Sequence, residues 1–301
     1  MSAPRSTRVE VTGWVCLNKP VGVTSTQAVG KLKFLFNAKK AGHAGTLDPL
    51  ASGVLPIAFG EATKTVPIVQ DGLKAYRFGV KWGEETDTDD AEGRIVATSP
   101  HRPDAFAIEA LLPRFIGTIS QTPPIYSAIK VDGERAYDRA REGETFVMAP
   151  REIVVHSLKL VSAEPDLALL EAECGKGTYV RAIARDLGRL LGCHGHVVLL
   201  ERTRVGPFSI ANSVSIDDLG EGPELNTKAM QPLEAGLAEL PCIPVDRDGA
   251  TQLRRGQKLL IRGAHMPPEG LAWVSCFGEP IAFGFVEAGH FVSTRVFNLR
   301  G

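Results

Sequence analysis

The 301-residue sequence is poor in several features, and each shortage removes a class of function. No run of about 18 apolar residues occurs, so no membrane-spanning helix is expected. Cysteine is sparse. Cys16, Cys174, Cys193, Cys242 and Cys276 are scattered, odd in number and never spaced C-x-x-C. They read as reduced, small apolar side chains rather than a disulfide framework. Cys193, His194 and His196 gather metal-ligand types, but too close together for the usual spacings and with no second cluster, so no metal is expected. An excess of one charge is missing as well. Lys and Arg number 34 against 35 Asp and Glu, a formal charge of -1, which excludes binding a polyanion by net charge alone but leaves room for a basic face. A P-loop and a G-x-S-x-G nucleophile elbow are absent, which argues against a phosphate cradle of that type and against a serine hydrolase. The opening MSAPRSTRVE has no apolar core, so no secretory signal is expected there and the cytoplasm is the expected location.

What is present supports a large α+β protein. Hydrophobic residues make up 44% and charged residues 23%, ordinary values for a chain that buries a substantial core. Trp14–Leu17 reads as a strand. Thr24 or Ser25 can cap a helix running to Phe36, with Val29, Leu32 and Phe36 at helical spacing. Val54–Phe59 reads as a buried strand despite Pro56, and Glu61–Gln70 as helical despite Pro67. Residues 75–82 alternate, with Tyr76, Phe78, Val80 and Trp82 on one side. Residues 104–116 and Thr178–Leu191 fit helices, while Leu167–Cys174 and His196–Arg204 fit strands. Residues 120–150, rich in charge and turn formers, read as an insertion or arm. After Pro241 the helical patterns vanish and short apolar runs separated by Gly and Pro predict a small β domain. The expected division is 1–240 and 241–301.

Charge is unevenly spread. Residues 1–60 carry seven basic and two acidic side chains, and residues 173–206 six basic and three acidic. Residues 84–92 carry six acids and no base. Each run could be a solvated face. Two basic segments flanking possible site residues point instead to a surface for a polyanion.

The sequence Gly42-His43-Ala44-Gly45-Thr46-Leu47-Asp48-Pro49-Leu50-Ala51-Ser52-Gly53 holds one carboxylate in an apolar, glycine-punctuated stretch. It contains no G-x-G-x-x-G dinucleotide fingerprint. From Asp48-Pro49 alone the simplest reading is a helix start, with Asp as N-cap and Pro at the first helical position. The surroundings favour chemistry. Leu47 and Leu50 flank the acid, and the residue before a proline is driven to extended backbone, which fixes where its carboxylate points. An acid among apolar groups needs a partner, and a positioned carboxylate can serve as nucleophile or base.

Gly42–Pro56 resembles the signature of the TruB family of tRNA pseudouridine synthases. Further motifs match in order: Leu17–Pro20, Gly60–Lys64, Lys74–Arg77, Thr86–Gly93, Pro124–Lys130, Lys176–Arg181 and Arg202–Phe208. The resemblance covers residues 17–208 and is weak beyond about 210. It implies a mixed, largely antiparallel sheet flanked by helices, followed by a small β-rich PUA-like RNA-binding domain. It implies conversion of the T-loop uridine at position 55 of tRNA to pseudouridine, without cofactor or metal. Asp48 matches the catalytic aspartate, whether it attacks the sugar, attacks the base or removes a sugar proton. Arg181 matches its arginine partner and Tyr76 the tyrosine that stacks on the target base. Tyr179 and Leu200 match pocket-lining positions, and His43 the residue that fills the space left by the flipped base. Lys64 matches a position that would steer Asp90 or a phosphate. The arm at 120–150 and the run Arg254, Arg255, Lys258 and Arg262 would contact RNA, with the acids of 84–92 facing away except near Asp90. Glu201 departs from the basic residue common at its position. The expected partner is the T-arm stem-loop of tRNA, with no obligatory protein partner and a monomeric chain. Two other readings were open at this level: an RNA chaperone without catalysis, and a glycosidase pairing Asp48 with Asp90.

Overall fold

The computed structural model describes residues 8–127, 129–131, 133–261 and 267–299. Arg5, Ala128 and Arg262 of the sequence reading lie outside them. The chain opens with strand β1 (Gly13–Lys19) and helix α1 (Ser25–Leu35). Thr24 caps α1 by accepting from the Gln27 N–H, while the Gln27 side chain accepts from the Thr24 N–H, a reciprocal capping box. Strand β2 (Ala41–His43) and strand β3 (Ser52–Phe59) follow. Pro56 is tolerated in β3 because its carbonyl accepts from Ala44 on the side away from β1. Its ring nitrogen faces the same way, and no ladder bond to β1 is lost. A 3-10 turn at Gly60–Thr65 leads into α2 (Val66–Asp71), where Pro67 sits in the first turn and lacks only a donor that would be unpaired there.

Strand β4 (Lys74–Trp82) leads to the hairpin of β5 (Glu84–Thr86) and β6 (Ile95–Thr98). Helix α3 (Ala105–Leu111) and strand β7 (Gly117–Gln121) come next. The expected arm holds the short pair β8 (Lys130–Val131) and β9 (Glu134–Arg135) and helix α4 (Ala136–Arg141). Then come β10 (Arg151–Glu164), β11 (Leu167–Cys174), α5 (Val180–Leu190), β12 (Gly195–Val205) and β13 (Phe208–Ser209). Among the described residues these strands build a nine-stranded sheet in the order β1-β3-β12-β4-β11-β10-β7, with β2 on β3 and β13 on β12. All its pairings are antiparallel except β12 with β3, which run parallel through Glu201↔Ser52 and Arg202↔Gly53. Helices α1 and α5 cover one face and close a core that includes Leu32, Phe36, Leu55, Phe59, Phe78, Trp82, Ile183 and Leu187. No described helix is long and apolar enough to cross a membrane.

A second, five-stranded sheet is made by β14 (Cys242–Val245), β15 (Leu259–Leu260), β16 (Gly270–Cys276), β17 (Glu279–Glu287) and β18 (His290–Val296). Helix α6 (Arg247–Arg254), which precedes β15, corrects the expectation that helices end before Pro241. Asp246 caps it through the Gly249 N–H, and only Gly249, Ala250 and Leu253 are buried, too few to show a helical period in the sequence. The second sheet is fastened to the first unit by a shared apolar cluster of Trp14, Phe208, Leu237, Phe283 and Phe297.

Candidate active site

The loop between β2 and β3 is held by named bonds on every side. The Ser25 hydroxyl accepts from the Leu47 N–H at 2.9 Å and donates to the Leu47 carbonyl at 3.0 Å. The Pro49 carbonyl accepts from Gly22, and the fully buried Lys19 ammonium donates to the carbonyls of Pro20 and Val23 at 2.8 Å each. Burial pushes the Lys19 pKa down to about 8, with Asp48 opposing and Arg202 reinforcing the shift. Arg202 reaches in from β12 and donates to the carbonyls of Val54, Thr46 and Gly45 at 2.8, 3.0 and 3.1 Å. Asp48 does not start a helix. It opens a turn closed by the Ala51 N–H on the Asp48 carbonyl, with Pro49 inside the turn.

This scaffold leaves the Asp48 side chain 36% exposed while its partner Arg181 is 6% exposed, the two joined at 3.1 Å. Arg181 lies in the first turn of α5, where the helix dipole disfavours a cation, and two carboxylates offset that cost. Its Nη2 serves Asp48 and the Tyr126 carbonyl, and its Nη1 serves Asp90 at 3.0 Å and the Thr88 carbonyl at 2.9 Å. Both groups of the fork are therefore fixed, and Asp48 meets an ion-pair partner aimed by the protein interior. Arg181 is thus no exposed helix charge.

The acids of 84–92 are also not simply a solvated run. Arg181, Arg185 and Arg189 recur every fourth residue along α5. They meet Asp90 at 3.0 Å, Asp89 at 2.8 Å and Glu85 at 2.6 Å. Glu85, Asp89 and Asp90 are all buried. Burial raises the Asp89 pKa to about 6 against the opposing pull of Arg185 and Arg181.

An open cleft of about 1100 Å³ surrounds Asp48. It brings together His43, Asp48, Tyr76, Tyr179, Arg181 and Leu200, with Arg202 in its wall. Tyr76 lies on β4 opposite Arg202, and burial pushes its phenol up to about 12. Tyr179 precedes α5 and is clamped by Gln121, which accepts from its N–H at 2.9 Å and donates to its carbonyl at 3.1 Å. Leu200 is a buried wall residue. His43 ends β2, with its pKa lowered by burial and then by Arg202, so its imidazole is neutral at pH 7.

Lys64 is the exception. Its ammonium bonds Glu61 at 2.7 Å and the Val296 carbonyl at 2.9 Å, and it does not line the cleft. The short turn of Gly60–Thr65 points it at the second sheet, away from Asp90. Two site residues escaped the sequence reading although their motifs were noticed: Lys19, within Leu17–Pro20, and Arg202, within Arg202–Phe208. Nothing local marks a lysine or arginine as buried against carbonyls from distant segments.

The fold and cleft define a class. The structure superimposes on that titled "Crystal Structure of a Cbf5-Nop10-Gar1 Complex" with a TM-score of 0.74 at 25% identity, covering 95% of this chain and 84% of that one. A second similar structure, "Structure of H/ACA RNP bound to a substrate RNA containing 2'-deoxyuridine", gives 0.74 at 24% identity, over 96% of this chain and 86% of that one. This is the pseudouridine synthase fold, with a β-rich C-terminal domain. The model of the "TruB family pseudouridylate synthase (N terminal domain)" matches residues 33–180, and that of the "tRNA pseudouridylate synthase B C-terminal domain" residues 181–238. A protein named tRNA pseudouridine synthase B from Rhodopseudomonas palustris is 55% identical, covering 99% of this chain and 84% of its own. One of the same name from Rhizobium meliloti is 50% identical, covering 99% of both. The chain belongs to the TruB family of pseudouridine synthases.

Proposed function

We propose that the protein isomerises a uridine of tRNA to pseudouridine, that the target is the T-loop uridine at position 55, and that Asp48 is the catalytic carboxylate. One observation carries this reading: Asp48 is a part-exposed carboxylate in an open cleft, held at 3.1 Å by a buried arginine that is itself fixed on three other sides.

The base must leave its stack to reach Asp48, at a cost of a few kcal/mol. Neutral His43 at the cleft edge suits the vacated space, where a flat imidazole can stack. Tyr76 remains protonated at neutral pH because its phenol lies near 12, so it can stack on the uracil and donate a hydrogen bond, but it is no base in the resting site. Tyr179 and Leu200 wall the base. Asp48 acts on the ribose or on the base as the N-glycosidic bond breaks. The uracil turns, C5 bonds to the sugar, and the C5 hydrogen departs. Arg181 keeps the carboxylate aimed throughout. Arg135, Arg141, Arg151 and Lys176 on the cleft lining supply positive charge for phosphates, and exposed Arg254, Arg255 and Lys258 of the PUA-like domain would meet the acceptor stem.

A glycosidase reading would need Asp90 to meet the substrate as a second carboxyl group. Asp90 is 3% exposed, and its carboxylate is taken up by Arg181, Thr88 and the Glu92 N–H. A chaperone reading leaves the aimed carboxylate unexplained.

The test is tritium release from tRNA labelled at uridine C5, comparing wild type with Asp48→Asn. Release by wild type, abolished in the variant while tRNA still binds, is the expected result. A transcript in which the position-55 uridine is replaced should release nothing. Tight binding without release by the wild type would overturn the isomerase in favour of an RNA-binding role.

A further inference from the structure

We propose that Arg202 is a positioning residue that ties the Asp48 loop and Tyr76 into one rigid unit. This rests on the isomerase reading above.

Arg202 stands where three strands meet. It lies opposite Tyr76 in the antiparallel pairing of β12 with β4, and opposite Gly53 in the parallel pairing of β12 with β3. One row across the sheet therefore contains the strand that carries the tyrosine, the arginine, and the strand that leaves the aspartate loop. The approach is close: a Cβ on Gly53 would lie 2.3 Å from the Arg202 carbonyl, and Gly53 has a φ of +102°. Only glycine permits that contact.

The side chain repeats what the backbone does. The guanidinium is buried, and it donates to three carbonyls of the loop and its outgoing strand: Gly45, Thr46 and Val54. Gly45 and Thr46 lie just before Asp48 in the chain. The backbone of Arg202 is in turn the register partner of Tyr76 across β12 and β4. Leu47 is separately tied to Ser25, and Pro49 to Gly22 and Lys19. Of these residues, Arg202 alone is also paired across the sheet with the tyrosine.

Among the described residues no carboxylate pairs with Arg202. The cation satisfies three carbonyls that an apolar side chain would leave without partners, so part of its role is structural. What the guanidinium offers is a flat fork with five donors in fixed directions, able to hold several acceptors at set angles. Lysine carries the same charge as a point and cannot span these acceptors. Displacing a reacting group by about 1 Å can slow a reaction about 100-fold, so a residue that sets both groups acts on rate.

The test is single-turnover tritium release by Arg202→Lys and Arg202→Met, read as rate and amplitude separately, beside wild type, Asp48→Asn and tRNA affinity. Both variants should react about 100-fold more slowly at full amplitude, with tRNA affinity changed less than about threefold. A merely structural role lowers the amplitude or the melting temperature while surviving molecules react at the wild-type rate, and that result overturns the proposal. So does a wild-type rate in Arg202→Lys, which would assign the role to charge rather than the fork. Failure of both variants to fold makes Arg202 a folding residue and equally overturns it. A cycle with Tyr76→Phe reads the coupling: the two rate losses should overlap, and losses that multiply in full refute it. Absence of release by wild type would instead sink the isomerase reading, and this inference with it.

Discussion

Replacing Asp90 with asparagine isolates the contribution of the buried acid to the site. The side chain keeps its shape, so packing is unchanged. Its Oδ1 accepts from the Thr88 hydroxyl at 2.6 Å and the Glu92 N–H at 3.0 Å, and its Oδ2 from Arg181 at 3.0 Å. Asparagine can serve only one side. With its oxygen toward Thr88 and Glu92, its amide hydrogens face the guanidinium. Flipped, they face the Glu92 N–H. Either way one bond is lost, and the charge is lost with it. A hydrogen bond to a charged group contributes about 1.5–3 kcal/mol, and breaking a fully buried pair costs about 3–5 kcal/mol. Arg181 keeps Asp48, so the lower range applies. At about 2–4 °C per kcal/mol, the melting temperature should fall by about 3–12 °C. The consequence for rate is larger. Arg181 keeps the Thr88 carbonyl on Nη1 but loses the opposing charge there, so it is drawn toward Asp48, moving the carboxylate from its aim, and single-turnover tritium release should slow about 100-fold. Because Asp90 is buried, tRNA affinity should hold. The assays are a thermal melt, a filter-binding titration and tritium release on the same preparation. A rate within about twofold of wild type, with the melting temperature lowered as expected, would refute the view that Asp90 aims Arg181.

Two further outcomes follow from the geometry. Lys64→Met should weaken the attachment of the second sheet, seen as faster proteolysis within residues 242–296, yet leave single-turnover release from a saturating T-arm stem-loop close to wild type. A collapse of that rate would return Lys64 to the site. Lys19 gives a pH signature. Its folded pKa of about 8 lies below its ordinary value of 10.5, so the unfolded chain binds more protons between these limits and stability gains as pH rises through that window. Wild type should therefore gain on Lys19→Met in denaturant melts between about pH 8 and 10.5, and parallel curves would rule this out.

The sequence revealed the elements with local causes. The Thr24–Gln27 box marked α1, the alternation of residues 75–82 marked β4, and Leu167–Cys174 was read to the residue as β11. Missing from the reading was β10, the long strand Arg151–Glu164. Its outer residues, such as Lys159 and Glu164, are exposed, and its fourteen residues mix charged, polar and apolar side chains without a clean alternation. The site was legible as a loop and a set of motifs, but not as a mechanism of support. Asp48 stood out because it was alone. That Asp89, Asp90 and Glu85 meet three arginines four residues apart, about a hundred positions later, has no local trace. Lys64 shows the converse. It follows a recognisable motif, yet a single 3-10 turn decides that it faces the other sheet.

The parallel seam between β3 and β12 also fixes an order of events. Gly53 and Arg202 are joined across a long stretch of chain, and such distant contacts form late because the intervening loop must first be closed. On a ribosome, β1 and β3 can pair while β12 is still unmade. The helix that carries Arg181 emerges before β12, and until Arg202 of β12 follows it the aspartate loop lacks its arginine fork. The nascent chain can hold a folded N-terminal strand pair without assembled chemistry, and activity switches on once β12 joins the sheet rather than growing in step with length.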